Sequence, residues 1–195
     1  MTFRHGEPAR QESARCALAA VLALGLVLVA TAAWARPLSD QEKAALAATV
    51  QSFDAAMREG NYPRVTQTLP PKVISAIARR AGASPDQVVA AMITQMQKTL
   101  QGGDVTIESF GMNLAAALYK ELPSGTPYVL LPTETVIAVG GQGRVRERSH
   151  TLALLEEGKW FLLRVSDDGQ IEILREVYPE FTSVELPRGS SEILK

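Results

Sequence analysis

The chain has 195 residues, with 20 basic side chains against 21 acidic ones and a single cysteine, Cys16. A balance so close to neutral excludes a general nucleic-acid binder, which needs a clear basic excess, and one cysteine excludes an internal disulfide. At this length one domain with a substantial core is expected.

Arg4, Arg10 and Arg15 precede an uncharged stretch over 16–35, whose centre is almost wholly Ala, Leu and Val. Ala33-Trp34-Ala35 then supplies the small-x-small pattern that a signal peptidase accepts. Residues 1–35 therefore read as a cleavable leader, and 36–195 as one globular domain, periplasmic or secreted. The same stretch has the length to cross a bilayer, so membrane contact is expected only if the leader stays uncleaved. The leader holds three of the basic and two of the acidic residues, which leaves 17 basic, 19 acidic and a net charge of −2. Cleavage also leaves no cysteine and one histidine, His150, so no metal or other cofactor is expected.

Helices come first. Ser39 and Glu42 are spaced as a capping box, each serving the other's backbone N–H. Leu46, Val50, Phe53 and Met57 follow on one stripe, and Gly60-Asn61 is a left-handed stop. A short turn over 62–69 leads to Pro71, suited to the first position of a helix that Gly82 closes. Ser84 and Gln87 form a second capping box. It launches a helix with Val88, Met92, Ile93, Met96 and Leu100 on one face, ended by Gly102-Gly103.

Strands follow, over 105–110, 128–139, 144–155 and 159–166. Pro132 suggests an edge or a bulge in the second of these. Glu156-Glu157-Gly158 makes a hairpin turn, and Gly140 to Gly143 the turn before it. The stretch 112–121 is assigned to strand. Residues 167–178 carry Ile171, Leu174 and Val177 at helical spacing, and the tail after Pro179 is expected to be extended. The fold class is α+β: N-terminal helices on a curved antiparallel meander of cystatin-like or cone type, with a short C-terminal helix.

The run from Phe53 through Gly60-Asn61-Tyr62, with the late hairpin at Gly158-Lys159-Trp160, resembles the cone-shaped ketosteroid-isomerase and nuclear-transport-factor superfamily. Over 53–187 the chain is also similar to uncharacterised bacterial envelope proteins. They share a Tyr-x-x-x-Pro-Thr strand (Tyr128 to Thr133), Ser149-x-Thr151-Leu152-Ala153, and Tyr178-Pro179. The isomerase resemblance implies a carboxylate base facing a tyrosine in an apolar cavity, from types such as Tyr62, Tyr119, Tyr128, Glu134, Asp54 or Asp104. No motif fixes which.

Six residues are candidates for binding a ligand: Tyr128, Glu134, Arg146, Arg148, His150 and Trp160. His150 can shuttle protons, with Glu134 or Glu147 to orient it. No strained nucleophile elbow accompanies it. Arg144, Arg146 and Arg148 share a face by strand period. They suit an anionic ligand or phospholipid headgroups, or else a solvated sheet end paired with Glu134 or Glu147, where reversing all three would change stability little. The run from Trp160 to Val165 is apolar on both faces and reads as the central strand. Trp160 suits a pocket wall or, more simply, core packing. These residues point to a non-catalytic domain that binds a small ligand or an envelope protein in the cleft between helices and sheet. The alternatives are a small isomerase or hydrolase of the cone fold, and a membrane-anchored envelope scaffold.

Overall fold

The computed structural model describes residues 37–103, 105–140 and 143–194. The leader and its cleavage site lie outside them, as do two residues of the 140–143 turn. Among the described residues no helix is long and apolar enough to cross a membrane.

The helices are α1 (Asp40–Glu59), α2 (Tyr62–Thr66), α3 (Pro71–Ala81), α4 (Pro85–Gln101) and α5 (Asp168–Val177). Both capping boxes form: the Ser39 hydroxyl accepts from the Glu42 amide and the Ser84 hydroxyl from the Gln87 amide, with the return bonds in place. Gly60 closes α1 at φ +66°, a conformation that costs other residues more. The expected turn at 62–69 contains a short helix instead, because Asn61 caps it and Pro63 sits in its first turn.

The strands are β1 (Val105–Met112), β2 (Leu118–Glu121), β3 (Pro127–Val139), β4 (Gly143–Glu156), β5 (Lys159–Val165) and β6 (Ser190–Leu194). They make one curled antiparallel sheet in the order β1-β3-β4-β5, with β2 continuing beside β3 beyond β1, and β6 beside β4 beyond β5. The α+β assignment holds, short C-terminal helix included. The stretch 112–121 is only partly strand: a 3₁₀ turn, Leu114–Ala116, separates β1 from β2. The tail forms another, Pro179–Ser183, before β6.

Two strand expectations are corrected. Pro132 lies in the interior of β3, between two neighbours on one side and β4 on the other. Its carbonyl accepts from the Asn113 amide at 2.8 Å, at the break between β1 and β2. A strand residue turns its N and its C=O to the same neighbour, so the missing N–H faces that break and no ladder bond is lost. The run from Trp160 to Val165 is an edge strand, not the central one. It is apolar on both faces because helices cover both, and the Leu162 amide on its edge donates to the Thr68 carbonyl at 2.7 Å. Arg79 and Arg80 at the end of α3 pair with Glu176 on α5, and Arg80 also with Glu172, so the two helices meet around that edge.

Strand alternation divides the core. Val129, Leu131, Ala153, Trp160 and Leu162 face α1 and pack on Leu46 and Val50. Tyr128, Leu130, Leu152, Leu154 and Val165 face α5, where Leu174 and Phe181 complete a second cluster.

Candidate functional site

Past the buried halves of β3 and β4 the sheet is less fully covered, and on each face it borders a hollow.

On the α1 face a cavity of about 390 Å³ lies between the sheet and α1, α2 and α4. Its walls are apolar: Phe53 and Met57 from α1, Met92 and Met96 from α4, and Phe110 from β1. The Phe53 and Phe110 rings touch, their centroids 5.5 Å apart. The floor is a patch of hydroxyls, Thr133 and Thr135 on β3 beside Ser149 and Thr151 on β4. The Thr133 and Thr151 side-chain oxygens are 2.8 Å apart, and Thr133 also donates to the Leu131 carbonyl at 3.0 Å. Among the residues lining the cavity only Arg164 is ionisable. It stands half exposed on β5 and is paired with Glu147 at 2.8 Å. Met92 and Met96 also line an open apolar groove between α3 and α4, so the two spaces share that wall.

On the α5 face a hollow of about 600 Å³ runs from the end of β1 across Pro132, Glu134, Arg148 and His150 to Arg188. Register places the arginine row here: Arg148 is directly opposite Glu134, and Arg146 directly opposite Glu192 of β6. Glu134 lies 3.1 Å from Arg148 and 3.6 Å from Arg146, while Glu192 lies 3.4 Å and 3.6 Å from the same two. Arg144 pairs with Glu108 at 2.6 Å. The row is thus a ladder of alternating charge. Reversing it would set new carboxylates beside Glu108, Glu134 and Glu192, so the expectation of a small effect on stability does not carry over to this setting.

His150 has a buried Nδ1 with no hydrogen-bond partner, and burial lowers its pKa. Neither carboxylate considered for orienting it does so: Glu134 serves the arginines, and Glu147 is on the other face with Arg164. A smaller hollow between α1 and β1 holds Asp54, Arg58 and Glu108. Asp54 keeps one carboxylate oxygen buried and unbonded; burial raises its pKa, and Arg58 offsets part of the rise.

Of the six candidate ligand residues, Glu134, Arg146, Arg148 and His150 are brought together on the α5 face. Tyr128 is on that face but inside the core, packed edge-on against Phe181 at 5.1 Å. Trp160 is on the opposite face, 4 % exposed, with its indole N–H on the Glu42 carbonyl. None of the six lines the inner cavity. Its hydroxyl floor was visible in sequence only as polar residues at period two within apolar runs, Thr133 and Thr135, then Ser149 and Thr151. Pairing β3 with β4 in this register is what joins them.

Among the described residues no three His, Cys, Asp or Glu side chains gather as a metal site. Compared with protein-family models, curated proteins and solved structures, the chain matches none.

Proposed function

We propose that this chain is an exported, non-catalytic binding domain that takes a small apolar molecule into the cavity between α1, α2, α4 and the sheet. The observation that carries the reading is the character of that cavity: aromatic and methionine walls, a neutral hydroxyl floor, and a single ionisable residue already paired at its edge. Its volume falls within the range of small-molecule sites, which are mostly apolar with a few placed polar groups. An isomerase of the cone type needs a carboxylate and a tyrosine facing each other in the cavity. Tyr128 and Glu134 are on the opposite face of the sheet, Asp54 is in the adjoining hollow beyond Met57 and Phe110, and Asp104 lies outside the described residues. None of the first three lines the cavity, which favours binding over chemistry. Export rests on the leader-like residues 1–35.

The test is titration with N-phenyl-1-naphthylamine, whose fluorescence rises in apolar sites. Saturable binding is expected for wild type and its loss for Thr135→Phe, which fills the cavity from the floor while the melt stays cooperative. Absence of saturable binding, or binding indifferent to Thr135→Phe, would sink the reading.

A further inference from the structure

Two of the four floor hydroxyls, Thr133 and Thr151, form a pair that is polar in one sense only. Thr133 and Thr151 each have one hydroxyl proton. Thr133 donates its own to the Leu131 carbonyl at 3.0 Å, so the 2.8 Å contact between the two hydroxyls is satisfied only if Thr151 is the donor there. Both protons are then spent inside the protein. What remains is lone pairs: two on Thr151 and one on Thr133. Both residues are buried, Thr133 at 6 % and Thr151 at 7 % exposure, so bulk water is largely kept from these acceptors. Arg164, the one strong donor along the lining, is engaged by Glu147.

From this we infer that the ligand is a neutral amphiphile with a hydrogen-bond donor at its head, an alcohol or an un-ionised acid, and an apolar body. The head donates to the Thr133–Thr151 pair and the body lies along Phe53, Met57, Met96 and Phe110. The inference rests on the proposed use of this cavity and goes further by naming the ligand's chemistry. A carboxylate or phosphate head brings only acceptors to the Thr133–Thr151 pair, and its charge meets no unpaired cation along the lining, so it is disfavoured. An ether or a hydrocarbon enters but leaves the lone pairs unanswered, which is costly in a buried site. A fatty acid binds in its protonated form, so its apparent affinity rises as pH falls towards its own pKa.

The experiment is displacement of bound N-phenyl-1-naphthylamine by 1-undecanol and by decyl methyl ether, which have equal numbers of heavy atoms but differ in the donor. On wild type the alcohol should displace the probe at a concentration about tenfold lower than the ether, the worth of roughly one buried hydrogen bond. In Thr151→Val and in T133V/T151V, near-isosteric changes that keep the cavity's shape, the preference should fall to within about twofold while the probe still binds. If wild type binds the probe but the two compounds displace it equally, the donor inference fails and the binding reading stands. A preference that survives T133V/T151V places the head elsewhere and also overturns the inference. If the probe does not bind at all, both fall together.

Discussion

Trp160 on β5 donates its indole N–H to the main-chain carbonyl of Glu42, 2.9 Å away in the first turn of α1. One side chain thereby fixes the first helix to the last strand of the hairpin, 118 residues later, while its ring fills the core beside Leu46 and Val129.

Trp160→Phe keeps most of the apolar area and removes the bond. It should cost about 1–2 kcal/mol, and Trp160→Ala about 3–5 kcal/mol. Urea titration followed by circular dichroism measures both. Equal costs for the two would show that the ring's volume contributes nothing.

The arginine ladder separates neutral from reversed charge. R146Q/R148Q loses half-exposed ion pairs and should change stability by less than about 1 kcal/mol. R146E/R148E crowds Glu134 and Glu192 and should be worse than the neutral double variant by about 1 kcal/mol or more, a gap that narrows at high salt. Because carboxylates answer the row, wild type should not sediment with anionic vesicles in a salt-sensitive way. Such binding, lost in R146Q/R148Q, would restore the reading of this face as a headgroup site.

Two half-buried groups give opposite slopes with pH. Burial lowers the His150 pKa, so the unfolded chain takes up the proton more readily, and stability falls as pH drops below the unfolded value of about 6.5. His150→Gln should remove that part of the decline. Burial raises the Asp54 pKa above its ordinary value of 3.8. The folded state then holds the proton better, and stability falls as pH rises from the unfolded value through the folded one. Asp54→Asn should therefore be more stable than wild type at pH 7, with the gain shrinking in acid. Denaturation of each variant beside wild type from pH 4 to 8 reads both slopes; a variant curve parallel to wild type refutes that assignment.

Gly189 sits where the chain leaves α5's side for β6. A Cβ there would meet the Arg148 carbonyl oxygen at 3.2 Å and the Ser166 Cβ at 3.1 Å. Gly189→Ala should cost about 1–3 kcal/mol and, since β6 carries Glu192, loosen one rail of the ladder. Hydrogen exchange of the β6 amides should speed up before the rest of the sheet responds. Unchanged exchange would mean that the neighbours yield without moving the strand.

The helices were legible because their signals are local. Ser39 with Glu42, Ser84 with Gln87, and the glycines at 60 and 82 each act within a turn, so their chemistry is complete in a few consecutive residues. The hairpin turn at Glu157-Gly158 was legible for the same reason, with both residues at positive φ. Strand order was not. Burial on both faces looks alike in a central strand and in an edge strand covered by helices, and what distinguishes β5 is that it pairs with β4 alone and turns its other edge to Thr68. Pro132 misled similarly, since a proline's cost depends on which neighbour its nitrogen faces. The arginine row was legible as a face, and Glu134 as a partner, but Glu192 lies 44 residues beyond Arg148 and joins only through β6. The inner cavity was least legible, because its walls and floor come from seven separate elements.

Met92 and Met96 line both the inner cavity and the groove outside it, which offers an occupant a route of exchange through that wall. A ligand enclosed by a packed helix waits for that helix to move, on microseconds or longer. Thioether side chains are unbranched and change rotamer far faster. Exchange through this wall requires two side chains to turn while α4 stays on its neighbours, so entry and exit rates should be indifferent to global stability. Trp160→Phe, which weakens the fold at a distance, should leave the probe's dissociation rate as it was. Replacing the two methionines with β-branched isoleucine should slow it with little change in affinity if the probe leaves by this wall, and an unchanged rate would place its exit elsewhere.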